Sequence, residues 1–340
     1  MGTIVEFTMG GRLELRISPD DVGKRVSVRS LAGSGGGGPA FTDTVGVLTS
    51  WADGTLSITR RDGRSVRLEE AALVAGKVVP AAPARRRGPA AGVRELAETA
   101  ARGWPAVETA RLGGWLLRAS GGFTGRANSV LPLDGPGTDL DSALAETVRW
   151  YGERGLPALV QVATGGAGAD EVLAAELERR GWTAERFAVV RTAALAPLAD
   201  REPDPRVRLS RRPDEAWLGA YRRGSSAGSA GDALKVLAGG PSVWFATVPG
   251  KDRGGAPAAI GRCVVDGRWA GFAAVEVSPG RRREGLATAV MAELARAALA
   301  EGASAAYLQV EPENTAALAL YDRLGFADHH GYHYRRAPHG

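Results

Sequence analysis

Apolar and polar positions along the 340-residue chain fall into three blocks with different periods. Up to about residue 79 they alternate in short β-type runs: Arg25 to Arg29, Thr44 to Ser50, Thr55 to Arg60 and Ser65 to Leu68. The last three are joined by Asp53-Gly54 and Asp62-Gly63, dipeptides that favour tight hairpin turns. A segment this small closes most easily as a five-stranded barrel. In the middle block G-W-L-L-R-A-S and A-N-S-V-L-P-L read as strands and Leu140 to Arg154 as a helix. In the last block an apolar strand ending at Val277 is followed by a helix with Val290, Met291, Leu294 and Ala298 on one face. Tyr307 to Val310 then reads as a strand, and Asn314 to Leu324 as a helix closed by Gly325 and Phe326. Asn314 suits the helix cap and Gly325 the residue just past the helix end.

Three breaks divide these blocks: G-S-G-G-G-G-P at residues 33 to 39, a Pro/Ala/Arg run at residues 80 to 92, and P-L-A-D-R-E-P-D-P near residues 197 to 205. They predict a unit over 1–80, a linker over 81–92, and further units over 93–203 and 204–340. Residues 159 to 182 and 308 to 326 repeat one order, strand, loop, helix, then Gly-aromatic. Aligning Gly181 with Gly325 sets Leu177 opposite Tyr321 and Asp170 opposite Asn314.

Chemistry concentrates in V-E-V-S-P-G-R-R-R-E-G-L-A, residues 275 to 287. A helix start leaves about four N–H groups without partners and carries roughly half a positive charge. Small residues there, Gly285 and Ala287, let an anion approach the backbone, and Arg281, Arg282 and Arg283 add cationic donors at the rim. The segment therefore reads as a pyrophosphate cradle. No such pattern follows Val130-Leu131-Pro132 in the middle block.

The succession of strand, Arg282-x-x-Gly285-x-Ala287 turn, long helix, strand, Asn314 and a helix with Tyr321 four residues before Gly325-Phe326 resembles motifs A and B of the GNAT superfamily of acetyl-CoA-dependent N-acetyltransferases. The likeness covers about residues 205 to 337. It implies an α+β/α/β fold class: a mixed-sheet acetyltransferase fold in tandem, one half degenerate, preceded by a small β-barrel that resembles SH3-like folds. It also implies acetyl-CoA as co-substrate. The backbone of Val275, Glu276 and Val277 would pair with the pantetheine arm, Arg282, Arg283, Glu284, Gly285, Leu286, Ala287 and Thr288 would bind the pyrophosphate, and Asn314 would contact the cofactor arm. Tyr321 would be the general acid for the departing thiolate. An ordinary tyrosine pKa of about 10 suits a donor to a thiolate whose parent acid is near 8.5. For the general base Glu276, Glu311 and Glu313 stay open; Gln309 occupies a strand position where some family members place a carboxylate. The layout is also similar to an actinobacterial group of acetyltransferases for which glutamate is the proposed acceptor.

Composition narrows the remaining readings. The formal net charge of +5 is mild for this length, and an anionic cofactor accounts for part of it. Acidic and basic residues nearly balance from Gly11 to Val79, which argues against a nucleic-acid-binding barrel. The lone Cys263 excludes an internal disulfide and reads as a buried small hydrophobe. His329, His330, His333 and His339 cluster near the C-terminus without converging carboxylates or cysteines, and read as part of a closing hairpin rather than a metal site. With no apolar leader or membrane-length run, a cytoplasmic location is expected. The expected partner is a small-molecule or peptide amine, with no membrane and no nucleic acid; homo-oligomerisation is left open. The acceptor cleft is expected between Arg222 to Ser229 and Asp328 to Tyr332. Trp217, Tyr221 and Trp244 are candidates to line it, and Arg222 and Arg223 to hold an acceptor carboxylate. Two other classes stay open. An acetyl-CoA sensor without turnover is disfavoured by the retained Tyr321, and a nucleic-acid-associated regulator by the charge balance.

Overall fold

The computed structural model describes residues 15–31, 41–79, 89–221, 230–250 and 255–338. The loop at 33–39, most of the linker, the loop carrying Arg222 and Arg223, and His339 lie outside them.

The first unit contains β1 (Leu15–Arg16), β2 (Arg25–Leu31), β3 (Phe41–Ala52), β4 (Thr55–Thr59), β5 (Ser65–Glu69) and β6 (Leu73–Val78). They form one sheet in the order β1-β6-β2-β3-β4-β5. Asp53 and Gly54 both take positive φ, 51° and 70°, as a tight hairpin turn requires. Alternation along β2, β3 and β4 buries Val26, Val28, Leu48, Leu56 and Ile58 on one face. This unit touches the rest of the chain through Ser65, whose hydroxyl donates to Glu178 (3.0 Å), and through the Arg61 carbonyl, which accepts from Thr164 (3.0 Å).

The middle region runs α1 (Val93–Gly103), β7 (Glu108–Leu112), β8 (Trp115–Ala119), β9 (Leu131–Pro132), α2 (Leu140–Gly152), β10 (Leu159–Thr164), α3 (Glu171–Arg179), β11 (Thr183–Ala194) and α4 (Ala196–Ala199). The last region runs β12 (Arg208–Ser210), α5 (Glu215–Ala220), α6 (Ala230–Ala238), β13 (Ser242–Val248), β14 (Ala259–Asp266), β15 (Trp269–Val277), α7 (Leu286–Ala300), β16 (Ala305–Val310), α8 (Thr315–Arg323) and β17 (Ala327–Arg336).

These two regions share an eight-stranded sheet in the order β10-β17-β11-β16-β15-β14-β13-β12. The last strand, β17, lies between β10 and β11 and is antiparallel to both; β11 in turn pairs with β16. The boundary expected near residue 204 falls between β11 and β12, two strands of this one sheet. The closing segment is also one ten-residue strand and not the hairpin expected from sequence, because both of its edges are taken by strands more than 130 residues upstream. His330 and His333 are buried on it. Burial pushes each imidazole down to about 3, so both are neutral strand residues.

Two cores flank the last region's part of the sheet. On one side α7 lays Val290, Met291, Leu294 and Ala298 against Ala270, Phe272 and Leu308. Gly261 makes room for Val290, since a Cβ there would lie 2.4 Å from its Cγ1. On the other, Trp217, Phe245, Ile260 and Val264 pack with Trp104 and Phe123. Helix α1 docks on the last region, with Arg102 paired to Asp266 (2.7 Å) and Glu95 accepting from Arg268 and Trp269.

Deleting β17 by ending the chain at Phe326 removes hydrogen bonds on both edges of a central strand together with buried Tyr332 and Tyr334. At about 1 kcal/mol per bond and about 2 kcal/mol per buried side chain, that exceeds the whole net stability of an ordinary domain. The truncated chain should show no cooperative thermal transition, and neither should a 204–340 fragment, which lacks β11. A sharp transition of the isolated fragment in circular dichroism would contradict this dependence.

Candidate active site

Strands β15 and β16 run parallel and pair over only four positions, from Trp269↔Ala305 to Phe272↔Leu308. Beyond Phe272 the two separate. The cause lies on the other edge of β15: opposite Gly261 of β14, this strand holds two residues, Ala274 and Val275, between the pairs Arg262↔Ala273 and Ile260↔Glu276. That extra residue is a β-bulge, and Ala274 takes a φ of 53° within it. A non-glycine residue in this region costs about 1–2 kcal/mol. The strained turn redirects β15, so the backbone from Ala273 to Val277 loses its ladder to β16 and borders a cleft of about 940 Å³.

The mouth of this cleft is the start of α7. Gly285, at φ 77°, is its cap residue and offers no side-chain acceptor; the first turn contains no acidic residue. By contrast α2, α3, α5 and α8 are each capped by Asp or Asn: Asp139, Asp170, Asp214 and Asn314. The N–H groups at the α7 start are therefore left for an anion, which such a terminus favours by about 0.3–1 kcal/mol, up to ~2 kcal/mol when partly buried.

Nearly all the residues singled out from sequence come together here. Val275, Glu276, Val277, Arg282, Arg283, Gly285, Leu286, Ala287, Thr288, Asn314 and Tyr321 line the cleft, as do Arg281 and Glu311. Glu284 and Glu313 do not. Glu284 instead accepts from the Arg281 guanidinium (2.7 Å). Asn314 caps α8, its Oδ1 accepting from Ala317 N–H (3.1 Å), which leaves its amide nitrogen for a ligand. The Tyr321 ring meets Phe326 edge-on at 5.8 Å while bordering the cleft, so packing and exposure to the site coexist.

The three aromatic candidates separate. Tyr221 borders the cleft; Trp217 is fully buried and donates to the Ala246 carbonyl (3.2 Å). Trp244 donates to Glu301 (2.7 Å) under the Arg211 guanidinium and takes no part in the cleft. Cys263 is buried, which pushes its thiol up to about 12 and leaves it protonated.

On the far side sequence reasoning expected only the border at Asp328 to Tyr332 and missed what the middle region adds. Arg126, Ala188 and Tyr332 border the same cleft, and the first two belong to the middle region. Gln309, one position beyond the last β15–β16 pair, ties this wall to the strand: its Oε1 accepts from Tyr332 Oη (2.9 Å) and Arg126 Nη1 (3.2 Å).

The middle region contains a smaller version of the same geometry. Val130 and Val160 make a parallel contact before β9 and β10 diverge. The space between those strands, about 230 Å³, is walled by Val93, Leu96 and Ala97 of α1. Asp170 caps α3 as Asn314 caps α8, but Leu177 is wholly buried in the core.

The sequence profile of a family described as "Probable histone acetyltransferase Rv0428c C-terminal" matches residues 90–335. Over 320 residues the chain is 30% identical to a Mycobacterium tuberculosis protein described as "Probable histone acetyltransferase Rv0428c", spanning 94% of this chain and 96% of that protein. It is 29% identical over 254 residues to the "Uncharacterized N-acetyltransferase YobR" of Bacillus subtilis, spanning 72% of this chain and 98% of the relative. Among solved structures it is similar to a GCN5-related N-acetyltransferase from Kribbella flavida, with a TM-score of 0.53 at 17% identity, covering 74% of this chain and 98% of that one. A tandem GNAT protein from the clavulanic acid biosynthesis pathway gives 0.52 at 15% identity, covering 74% and 91%. The architecture is thus the mixed α/β acetyltransferase fold with tandem neighbours.

The α7 start predicts a specific sensitivity. Gly285→Ala sets a methyl group at a φ that costs about 1–2 kcal/mol, and distorts the donors that an anion would use. Coenzyme A affinity measured by calorimetry should fall about tenfold or more, and further than in Arg281→Ala, which removes one rim donor. Equal affinities in Gly285→Ala and the parent chain would remove the α7 start from the binding site.

Proposed function

The chain belongs to the GNAT-type N-acetyltransferase family of the Rv0428c C-terminal region, and on that premise we propose that it transfers the acetyl group of acetyl-CoA to a primary amine by direct attack in the β15–β16 cleft. The observation that carries this reading is the divergence of two parallel strands beside an uncapped helix start, one site for an extended amide-bearing arm and one for its pyrophosphate. From Phe272 to Val277 a strand advances about 3.3 Å per residue, so thioester and pyrophosphate ends fall at opposite ends of the cleft.

In this reading the Val275–Val277 backbone pairs with the pantetheine amides. Arg282, Arg283 and the backbone from Gly285 to Thr288 hold the pyrophosphate, and the Asn314 amide contacts the arm. The amine nitrogen attacks the thioester carbonyl, the C–S bond breaks, and the thiolate leaves with a proton from Tyr321. Glu276 or Glu311, both bordering the cleft, accepts the amine proton through water. Holding two reactants in this geometry supplies most of the acceleration, with polarisation of the carbonyl by a backbone N–H at the bulge.

The domain reading follows the same lines. Residues 1–80 are an SH3-like unit, supported by the β2–β5 meander and the return of β6 to β2. Residues 93–203 are a degenerate acetyltransferase half and residues 204–340 the working half, supported by the repeated strand divergence and by Leu177 in place of Tyr321. No helix among the described residues is long and apolar enough to cross a membrane. The acceptors to assay first are L-glutamate, after the similar layout, and a lysine-rich histone peptide, since the mycobacterial relative is described as a probable histone acetyltransferase.

Tyr321→Phe keeps the ring against Phe326 and removes only the hydroxyl. Turnover, followed as thiol release from acetyl-CoA, should fall by about 10²–10⁴-fold, the range for a positioned general acid, with cofactor affinity unchanged. Undiminished turnover with chemistry rate-limiting would assign the proton to water, and binding without release for every amine would mark a sensor.

A further inference from the structure

The far wall of the cleft carries a positive charge set apart from the arginines at the α7 start. Arg126 stands beside Gln309 at the base of the strand divergence, the end away from Gly285. Its guanidinium lies 4.2 Å from the Trp104 ring centre, and among the described residues it forms no ion pair. Two further arginines lie behind it. Arg262, 1% exposed, donates to the Leu237 and Gly239 carbonyls (2.6 Å each) and approaches the same Trp104 ring at 5.0 Å. Arg118, 3% exposed, donates to Ser129 and Gln161. Neither is paired with a carboxylate among the described residues, and Arg126 adds to the repulsion felt by both. Burial pushes Arg262 down to about 10, so it stays charged at neutral pH.

Arg126 is also held in place. It sits on a short turn whose neighbour Asn128 is buried and makes four hydrogen bonds, accepting from Ser120 and Gly122 N–H and donating to the Phe123 and Thr124 carbonyls (2.8–2.9 Å). Gln309 Oε1 is occupied by two donors, which leaves its Nε2 as a donor without a protein acceptor among the described residues. A planar guanidinium next to an amide N–H₂ matches an oxyanion.

We infer that Arg126, supplied by the middle region, together with Gln309, holds a carboxylate on the amine acceptor, so that the enzyme selects amino acids or carboxylate-bearing amines over cationic acceptors. The inference rests on the acetyl-transfer reading above. The same field serves the chemistry. A positive environment disfavours the ammonium form of the bound acceptor and frees its lone pair, whereas a lysine-rich peptide would bring more positive charge to a wall of arginines.

The test uses the full-length protein saturated with coenzyme A or acetyl-CoA. The probes are glycine, β-alanine, 4-aminobutanoate and L-glutamate, each against its carboxamide, with phosphoethanolamine as the phosphate arm and the histone peptide as the cationic arm. Binding to the coenzyme A complex is read by calorimetry, and KM by thiol release. The best carboxylate should exceed its amide by roughly 10- to 100-fold, the range for a charged hydrogen bond. Arg126→Gln should collapse that ratio towards one, and Arg126→Lys should keep part of it, with coenzyme A affinity unchanged in both. A ratio unaltered by Arg126→Gln, a preference for the peptide or the phosphate, or no carboxylate binding to the parent complex would overturn the inference. Calorimetry separates that failure from failure of acetyl transfer, which would appear as carboxylate binding governed by Arg126 with no thiol released.

Discussion

The insertion of β17 between β10 and β11 governs the rest of the molecule. A strand from the end of the chain completes the middle region, and a strand of the middle region, β11, completes the last. Until the last ten residues of this sheet are made, β10 and the β17-facing edge of β11 present open backbone groups, the arrangement that invites wrong pairing. Such long-range pairing is slow because loop closure precedes any gain from contact. The return is positional. Ala188 on β11 and Tyr332 on β17 enter a cleft otherwise built from β15, β16, α7 and α8, and the middle region becomes one of its walls.

The cleft exists because a parallel pair stops after four positions. Two opposed demands meet at that point. Below it, a Cβ on Gly271 would come within 2.4 Å of the Tyr307 phenol ring and one on Gly103 within 2.6 Å of its hydroxyl oxygen, which locks β15, β16 and α1 together. Above it, the bulge at Ala274 turns β15 away while Val290 of α7 presses on Gly261 across from it. The helix start that would hold pyrophosphate is thus positioned by the same contact that opens the strands.

The local part of this design is readable in the sequence. A strand, a glycine turn and an amphipathic helix within about 30 residues have short-range signatures, and so do Asn314 as a cap and Gly325, at φ 85°, as a helix end. Pairing order has no such signature: nothing within residues 327 to 336 says that their neighbours are residues 159–164 and 183–194. The tryptophans show a second limit. Trp217 and Trp244 are the same residue type, yet one is a core residue with a buried hydrogen bond and the other donates to Glu301 beneath the Arg211 guanidinium. The expected strand A-N-S-V-L-P-L shrinks to Leu131–Pro132, since the chain diverges after Val130 and proline offers no N–H to a ladder. Arg126 escaped notice because its meaning depends on Gln309, 183 residues away. The available hint was a polar, glycine-rich turn ending in Asn128, the kind of loop that needs a reason to be rigid.

The middle region repeats the strand divergence of the last region and lines it differently. Helix α1 walls its strand divergence, and Leu177 stands in the core where a tyrosine hydroxyl would need solvent and a thiolate. A half that only filled space would tolerate any apolar packing at its border with the cleft. Instead this border holds two buried arginines without carboxylate partners among the described residues, Arg118 from the middle region and Arg262 from β14 of the last, a costly arrangement that backbone carbonyls and side-chain oxygens only partly offset. Such a cost persists where the field itself is used. At the base of this cleft, a fixed positive potential opposes the protonated form of an incoming amine, and Arg126 gives that potential a group able to meet an anion.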